Sequence, residues 1–256
     1  MKVVILAGGL GSRLSEETVT KPKPMVQIGN KPILWHLMKI YSFYGFNDFV
    51  ILCGYKGHMI KEYFANYFYY NNDIEISLNN NEIKILNNVV EPWKISLIDT
   101  GLNTMTGGRI KRIKKLINDE DFFLTYGDGL SNINISELLK FHQSHNGCLT
   151  MSAVQAEGRF GALQINNNLV TSFTEKPVGD GSWINGGFFV CGNEVFDYID
   201  NDNTIFERDP LEKITKDGKL FSMKHNGFWK PMDMLRDKKE LNKMWNSNNA
   251  PWKVWE

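Results

Sequence analysis

The feature that most constrains the fold is a short apolar segment at the amino terminus that runs directly into a glycine-rich turn. Lys2 to Ala7 is almost continuously apolar, and Gly8 to Leu14 follows it without a polar linker. A continuous apolar run of this length is typical of a strand buried on both faces of a sheet. It is too short for a signal peptide or a membrane span, so we predict a central strand that delivers a glycine loop.

Strand-like and helix-like segments alternate through the first half of the chain. Phe49 to Cys53 and Asp121 to Tyr126 are apolar enough for strands inside a sheet. Lys31 to Tyr44 carries its apolar residues on one helical face, with Asn30 as a candidate cap and Gly45 as a stop. The succession predicts an α/β fold, with a Rossmann-like, mainly parallel sheet flanked by helices.

The pattern changes after residue 155. Phe160 to Ile165 and Leu169 to Glu175, separated by three asparagines, predict a β-hairpin. Leu235 to Trp245 has the pattern of a last helix. We therefore expect a single domain over residues 1–256, with a smaller β-rich portion and a C-terminal helix in its second half.

The composition excludes several classes of protein. Lys plus Arg and Asp plus Glu both number 29, so the formal net charge is zero and nothing favours nucleic acid or an anionic membrane as a partner. Cys53, Cys148 and Cys191 are far apart and lack a Cys-x-x-Cys spacing. A disulfide framework or zinc site is therefore not expected, and free thiols fit a reducing cytoplasm.

The glycine loop has the composition of an anion site. Glycines let the backbone approach a ligand and present N–H groups to it, and Arg13 adds donors suited to phosphate oxygens. Gly11-Ser12-Arg13 does not supply the Gly-Lys-Ser/Thr ending of a P-loop, and the glycine spacing does not match a dinucleotide fingerprint. A different phosphate loop and a tight turn without a ligand remain.

A basic, proline-rich tetrapeptide, Lys21-Pro22-Lys23-Pro24, comes next in the sequence. The prolines hold the backbone extended and fix where each lysine points. One lysine could then reach phosphates gathered at the glycine loop. A solvated basic turn explains the same four residues without a ligand.

These segments together resemble the sugar-1-phosphate nucleotidylyltransferase family. The motifs that carry the resemblance occur in order along nearly the whole chain: Gly8 to Leu14, Lys21 to Met25, Tyr126-Gly127-Asp128, Glu175-Lys176-Pro177, Asn185 to Phe188 and Phe228 to Asp233. Ser12 stands where many members have threonine, which keeps a hydroxyl at that position.

The resemblance is strongest to a subgroup that uses CTP and glucose 1-phosphate. Glu16-Glu17-Thr18 replaces the Pro-Leu-Thr of thymidylyl and uridylyl relatives. Further subgroup features are Val90 to Trp93, Asp99-Thr100-Gly101, Thr106 to Arg109, Gly158 to Gly161 and the Trp252 to Glu256 tail. The resemblance implies that CTP and glucose 1-phosphate give CDP-glucose and pyrophosphate, with Mg²⁺ as cofactor, in an enzyme that forms homo-oligomers.

The family pattern also implies roles for individual residues, each carried over to the matching position. The implied metal ligands are Asp128 and Asp233, and the implied catalytic residues are Arg13, Lys23, Asp128 and Lys176. The nucleotide-binding set, in a half that ends near residue 130, is Leu6, Ala7, Gly8, Gly9, Gly11, Ser12, Arg13, Lys23, Thr106 and Arg109. The sugar-phosphate set, in the second half, is Glu175, Lys176, Asn185 and Gly186.

Each role has a plain structural alternative. Asp128 could be a turn residue between two glycines, and Asp233 could cap the last helix. Arg109 could donate to cytosine, or could belong to an exposed basic helix face with Lys111 and Arg112. For the whole chain, the alternatives are the same reaction with UTP or dTTP, or a nucleotide-sugar-binding protein without activity.

Overall fold

The computed structural model describes residues 1–87, 90–156, 162–166, 169–174 and 182–256. The strands are β1 (Lys2–Ala7), β2 (Gln27–Ile28), β3 (Lys31–Pro32), β4 (Asp48–Cys53), β5 (Ile74–Ser77), β6 (Glu82–Ile85), β7 (Lys94–Asp99), β8 (Phe122–Tyr126), β9 (Gly129–Ser131), β10 (Leu149–Val154), β11 (Ala162–Asn166), β12 (Leu169–Thr174), β13 (Ile184–Cys191), β14 (Leu220–His225) and β15 (Trp229–Pro231).

The α-helices of the described ranges are mostly short. They are α1 (Ser15–Thr18), α2 (Ile33–Phe43), α3 (Gly57–Ala65), α4 (Tyr67–Asn71), α5 (Thr106–Lys111), α6 (Lys114–Ile117), α7 (Ile135–Gln143), α8 (Asp209–Lys216) and α9 (Leu235–Asn246). None of these helices combines the length and apolarity needed to cross a lipid bilayer.

A mixed seven-stranded sheet organises the molecule, in the order β14-β10-β13-β8-β1-β4-β7. β1 pairs in parallel with β4 and β8, β4 pairs in parallel with β7, and β10 pairs in parallel with β14. β13 is antiparallel to both of its neighbours, β10 and β8. The predicted mainly parallel α/β sheet is confirmed, and one reversed strand is inserted in it.

The alternating side chains of β1 divide the core into two layers. Val3, Ile5 and Ala7 pack into one apolar cluster, whereas Val4 and Leu6 pack into the other. Because successive side chains of a strand point to opposite faces, this division requires apolar residues throughout the strand. The continuous apolar run at the amino terminus is therefore explained by its central place in the sheet.

The helix predicted from Lys31 to Tyr44 is present as α2, but its predicted start is wrong. Asn30 does not cap it: Ile28 pairs with Lys31 across a tight turn at Gly29 and Asn30, and Pro32 lies in a strand. Gly29 has a φ of 62°, which glycine adopts without a steric penalty. Lys31 and Pro32, which the helical pattern assigned to the first turn, belong instead to the second strand of this hairpin, so α2 begins at Ile33.

The sequence from His58 to Phe68 has the pattern of one amphipathic helix, but the structure divides it at Asn66. The side-chain amide of Asn66 donates to the carbonyl of Glu62 at 2.9 Å, and the chain restarts as α4. An asparagine that bonds the backbone of the preceding turn offers an alternative to continued helix. The asparagine-rich segment after it contains the β5–β6 hairpin.

The carboxyl-terminal tail packs back onto the domain. Trp252 is fully buried and lies against Phe228, Trp245 and His36. The His36 ring is itself buried, and its Nε2 lies 3.0 Å from the carbonyl oxygen of Ile28. Burial lowers the pKa of His36 to about 4, so the ring is neutral in the folded protein at physiological pH.

This buried imidazole should make stability depend on pH. The unfolded chain binds a proton at His36 near pH 6.5, whereas the folded chain binds it only near pH 4. The contribution of the neutral His36 to the free energy of unfolding should therefore be complete above about pH 6.5 and should be lost as the pH falls toward 4. The contribution is at most about 3 kcal/mol. Urea unfolding of wild type and His36→Gln at pH 7, 5.5 and 4.5 measures it.

His58→Gln is the matched control because His58 is exposed. We expect His36→Gln to flatten the stability profile between pH 6.5 and 4, while His58→Gln retains the profile of the wild type. Equal pH dependence in all three proteins would contradict a buried neutral His36.

Candidate active site

A cavity of about 640 Å³ opens at the carboxyl ends of β1 and β8. This edge is where open α/β sheets bind ligands, because loops rather than strands surround the opening. All the predicted site residues within the described ranges line it: Leu6, Ala7, Gly8, Gly9, Gly11, Ser12, Arg13, Lys23, Thr106, Arg109, Asp128, Asn185, Gly186 and Asp233. Glu175 and Lys176 lie outside the described residues.

The glycine loop leaves little room for a side chain at Gly8 and requires a left-handed backbone at Gly11. A Cβ atom built on Gly8 would lie 2.3 Å from a guanidinium nitrogen of Arg109. Gly11 has a φ of 65° and precedes the short 3-10 helix Ser12–Leu14. Glycine is required at both positions, for a close approach at Gly8 and for a left-handed backbone at Gly11.

A two-stranded ladder brings the two distant aspartates together. β9 and β15 are antiparallel, with Gly129 opposite Pro231, and the Met232 amide donates to the Asp128 carbonyl at 2.9 Å. Asp128 immediately precedes one strand and Asp233 closely follows the other. The ladder therefore fixes both carboxylates at the same mouth of the cavity.

Lys23 joins the two carboxylates. Its Nζ donates to Asp128 Oδ2 at 2.5 Å and to Asp233 Oδ1 at 2.8 Å. Arg13 Nη1 donates to the other oxygen of Asp233, also at 2.8 Å. Two cations thus balance two anions in one connected cluster, and the exposed arginine is at its open end.

The burial of Lys23 makes this pairing necessary. Burial alone lowers the pKa of Lys23, but the neighbouring charge and hydrogen bonds of Asp128 and Asp233 more than offset it, so the net pKa is raised above 10.5. The ammonium group is therefore charged at neutral pH. A charged amine that is held by two carboxylates is preorganised to face a phosphate when the cavity fills.

The cluster suits a divalent cation that arrives with its substrate. Within the described residues, no group of three or more His, Cys, Asp and Glu side chains is placed to hold a metal ion. Asp128 and Asp233 still offer oxygen ligands at the cavity mouth. Because Mg²⁺ usually takes one or two carboxylates and completes its shell with water and substrate phosphates, the donor set fits it.

The predicted alternatives for the two aspartates can be compared with their contacts. Asp128 does lie in a turn, yet its carboxylate bonds Lys23 across the cavity. Asp233 is not the cap of α9, because the cap position is Met234. The Asp237 carboxylate instead accepts from the amides of Asp233 and Met234, at 3.0 and 2.8 Å. The carboxylate of Asp233 is thereby left to bond Lys23 and Arg13.

Arg109 is buried, so its predicted place on an exposed basic helix face is wrong. Its guanidinium donates to Thr100 Oγ1 at 2.6 Å and to the carbonyls of Gly101 at 2.7 Å and Gly8 at 3.1 Å. It also borders the cavity. These bonds tie the glycine loop to the segment after β7, while a contact with cytosine stays a prediction.

Hydrogen bonds hold the side of the cavity that Asn185 and Gly186 line. Asn185 Oδ1 accepts from the Gly187 amide at 2.8 Å, and its Nδ2 lies 3.4 Å from the Tyr126 hydroxyl. Trp229 Nε1 donates to the Gly186 carbonyl at 2.7 Å. The Asn185-Gly186 segment is therefore fixed in place beside the ladder that carries the two aspartates.

The sequence did not predict Glu207 as part of the site. Its carboxylate lines the cavity and accepts from the hydroxyls of Tyr126 at 2.8 Å and Thr106 at 2.6 Å. Tyr126 and Trp229 were noted only as motif neighbours of the aspartates. Glu207 stands before α8 in a segment with no recognisable motif, so no local signal could have found it.

A nucleotide-sized cavity that combines a glycine loop, two cations and two carboxylates defines an α/β protein for phosphate transfer chemistry. A family model described as "Nucleotidyl transferase" matches residues 2–234. The chain belongs to the nucleotidyl transferase family, and the family predicted from the sequence motifs is confirmed.

Curated relatives match the chain over its whole length. Glucose-1-phosphate cytidylyltransferase of Salmonella typhimurium is 53% identical, and 100% of each chain is covered. Probable glucose-1-phosphate cytidylyltransferase of Bacillus subtilis is 47% identical, again with 100% of each chain covered.

Solved structures share the fold. HddC from Yersinia pseudotuberculosis, complexed with GMP-PN, superimposes with a TM-score of 0.69 at 26% identity, over 95% of this chain and 99% of that one. UDP-glucose pyrophosphorylase complexed with UDP-glucose gives a TM-score of 0.68 at 16% identity, over 96% and 98% of the two chains. The second likeness concerns the fold alone.

Replacing the buried Arg109 with lysine should destabilise the protein. Arg109→Lys should lower the free energy of unfolding by about 2–4 kcal/mol, because one ammonium cannot reach both loops and leaves buried acceptors unpaired. It should also raise KM for the nucleotide, since the glycine loop loses its support. Urea unfolding and initial rates measure the two effects.

Arg112→Lys is the matched control, since Arg112 is exposed and pairs with Asp202 at the surface. It should change the unfolding free energy by less than about 0.5 kcal/mol. Unchanged stability of Arg109→Lys with only its nucleotide KM raised would contradict the structural role and favour direct base contact.

Proposed function

We propose that this enzyme transfers a cytidylyl group from CTP to α-D-glucose 1-phosphate, giving CDP-glucose and pyrophosphate. The observation that carries the proposal is the full-length identity of 53% to a glucose-1-phosphate cytidylyltransferase. The convergence of Asp128, Asp233 and Lys23 at one cavity supports it, because this chemistry needs charge neutralisation at that place.

In the proposed reaction, a phosphate oxygen of the sugar phosphate attacks the α-phosphorus of CTP in line with the departing group. A new P–O bond forms to the sugar phosphate, the bond between the α-phosphorus and its bridging oxygen breaks, and pyrophosphate leaves with that bond's electrons. No covalent protein nucleophile is required. The protein contributes positioning and cations, which bring two anions together at low cost.

The cations of the cluster suit this task. Lys23 is charged and buried at the cavity, so it can contact the α-phosphate or the attacking phosphate when it leaves the carboxylates. Arg13 is exposed at the cavity mouth and can stabilise the departing pyrophosphate. Mg²⁺, when held by Asp128 and Asp233, would neutralise phosphate charge and stabilise the transition state.

The remaining assignments follow from position and resemblance. We propose that Leu6, Ala7, Gly8, Gly9, Gly11, Ser12, Thr106 and Arg109 bind the nucleotide in the first half of a single domain. We propose that Asn185 and Gly186 bind the sugar, together with Glu175 for its hydroxyls and Lys176 for its phosphate.

We also propose that the enzyme works in the cytoplasm as a homo-oligomer. Its three cysteines are free and buried, which suits a reducing compartment. Apolar side chains are exposed on the β5–β6 hairpin and α4, among them Tyr70, Ile76 and Leu78, and such patches commonly mark contact surfaces. Light scattering should give a mass above the 29.4 kDa of one chain, and a monomer would contradict assembly.

A panel of the four ribonucleoside triphosphates and dTTP tests the nucleotide. With glucose 1-phosphate and Mg²⁺, we expect pyrophosphate release from CTP to exceed that from the others by at least about tenfold in kcat/KM, because cytosine presents O2 and N3 as acceptors to a donor such as Arg109, whereas N3 of uracil and thymine carries a hydrogen. Equal rates with UTP or dTTP would contradict the assignment of CTP. Nucleotide binding without turnover would favour a protein that only binds nucleotide sugars.

Asp128→Asn tests the metal role. It keeps the size of the side chain but removes the charge, so we expect kcat to fall by about 100-fold or more, and the concentration of Mg²⁺ needed for half-maximal rate to rise. Asp197→Asn is the control, since Asp197 is exposed and pairs with Lys114 away from the cavity. Wild-type kinetics for Asp128→Asn would contradict the proposal.

A further inference from the structure

Glu207 is an anionic side chain in a cavity that, under the proposed function, receives two polyanions. Among the described residues, the other carboxylates that line the cavity are Asp128 and Asp233, and both are neutralised by Lys23 and Arg13. Glu207 forms no ion pair with a described lysine, arginine or histidine, and it takes hydroxyl hydrogen bonds instead. A carboxylate in such surroundings would repel phosphate, so its place in the cavity calls for a different ligand group.

The neighbours of Glu207 connect it to the sugar side of the cavity. Oε1 accepts from the Tyr126 hydroxyl at 2.8 Å and Oε2 accepts from Thr106 Oγ1 at 2.6 Å. The Tyr126 hydroxyl in turn lies 3.4 Å from Nδ2 of Asn185.

The carboxylate has capacity left for a ligand. An ionised carboxylate carries about four lone-pair sites and acts only as an acceptor. The two hydroxyl bonds occupy one site on each oxygen, and they orient the group without neutralising it. A neutral donor that enters the cavity can use the remaining sites, and sugar hydroxyls are such donors.

We propose that Glu207 accepts a hydrogen bond from one ring hydroxyl of the bound sugar and thereby determines which sugar phosphate reacts. The proposal rests on the proposed function, because it assumes a sugar phosphate as acceptor. Thr106 and Tyr126 are positioning residues for this carboxylate, with Tyr126 linking it to Asn185. A sugar that lacks the donor, or directs it elsewhere, leaves part of the acceptor capacity of this half-buried carboxylate unused.

The experiment compares glucose 1-phosphate with its 2-, 3-, 4- and 6-deoxy analogues. Wild type should discriminate by roughly 10- to 100-fold in kcat/KM against the analogue that lacks the hydroxyl bonded to Glu207, whereas discrimination at other ring positions depends on other sugar contacts such as Asn185. Glu207→Gln should lose most of that factor at the same ring position only, because the neutral amide accepts more weakly. KM for CTP should stay within about twofold of wild type.

Two further variants make the result specific. Glu212→Gln is the matched control: Glu212 is exposed on α8, and the change should preserve the full discrimination. Tyr126→Phe removes the phenol that Oε1 accepts from but leaves the carboxylate, and should also retain most of the discrimination. Circular dichroism and unfolding curves of each variant establish that the proteins compared are folded.

Several outcomes would overturn the proposal. Unchanged discrimination in Glu207→Gln at all four positions would remove Glu207 from the sugar site. A rise confined to KM for CTP would place the carboxylate on the cytosine amino group instead. Equal loss in Tyr126→Phe and Glu207→Gln would make Glu207 a support for Tyr126 and not a sugar ligand.

Failure of the proposed function would look different. Wild type would then show no turnover of CTP with glucose 1-phosphate, before any variant is compared. If wild type is active and only the discrimination is unaffected by Glu207→Gln, the proposed function stands and the sugar contact fails.

Discussion

The ammonium group of Lys23, held between Asp128 and Asp233, is the interaction on which the rest of the site depends. Each partner alone would be costly at the mouth of this cavity: the lysine is buried, and two adjacent carboxylates repel one another. Together with Arg13 they form a neutral cluster that can exchange partners when a nucleotide and its metal arrive. The proposed transfer therefore begins from a site in which the charges are already assembled, and the substrates replace one set of ionic contacts with another.

Much of this arrangement could be predicted from the sequence, for reasons that differ between elements. β1 was predictable because a central strand must be apolar on both faces, and its glycine loop because close packing and left-handed backbone favour glycine at Gly8 and Gly11. The meeting of Asp128 and Asp233 was not predictable from local pattern. It depends on pairing between Gly129–Ser131 and Trp229–Pro231, and only the family resemblance connected those segments.

Three residues lie in surroundings that their local sequence does not indicate. Asn30 is a residue type that commonly caps helices, but in the structure it lies with Gly29 in the turn of a hairpin. Arg109 has basic neighbours on a helix, yet its guanidinium is buried and donates to acceptors in two loops, the glycine loop and the segment after β7. Glu207 is held at the cavity by hydroxyls of Thr106 and Tyr126, which lie far away in the sequence. For Arg109 and Glu207, hydrogen bonds to distant segments fix a position that local sequence does not show.

The strand order has a consequence for how the chain acquires activity. β1 pairs with β4, which lies nearby in sequence, but its other neighbour, β8, begins at Phe122, and the ladder between β9 and β15 joins segments that are still further apart. Contacts between remote segments form late and slow the search for the native state, because long loops must close first. Refolding should therefore restore the β1–β4–β7 portion before the paired aspartates meet, so that regained catalysis lags behind regained secondary structure.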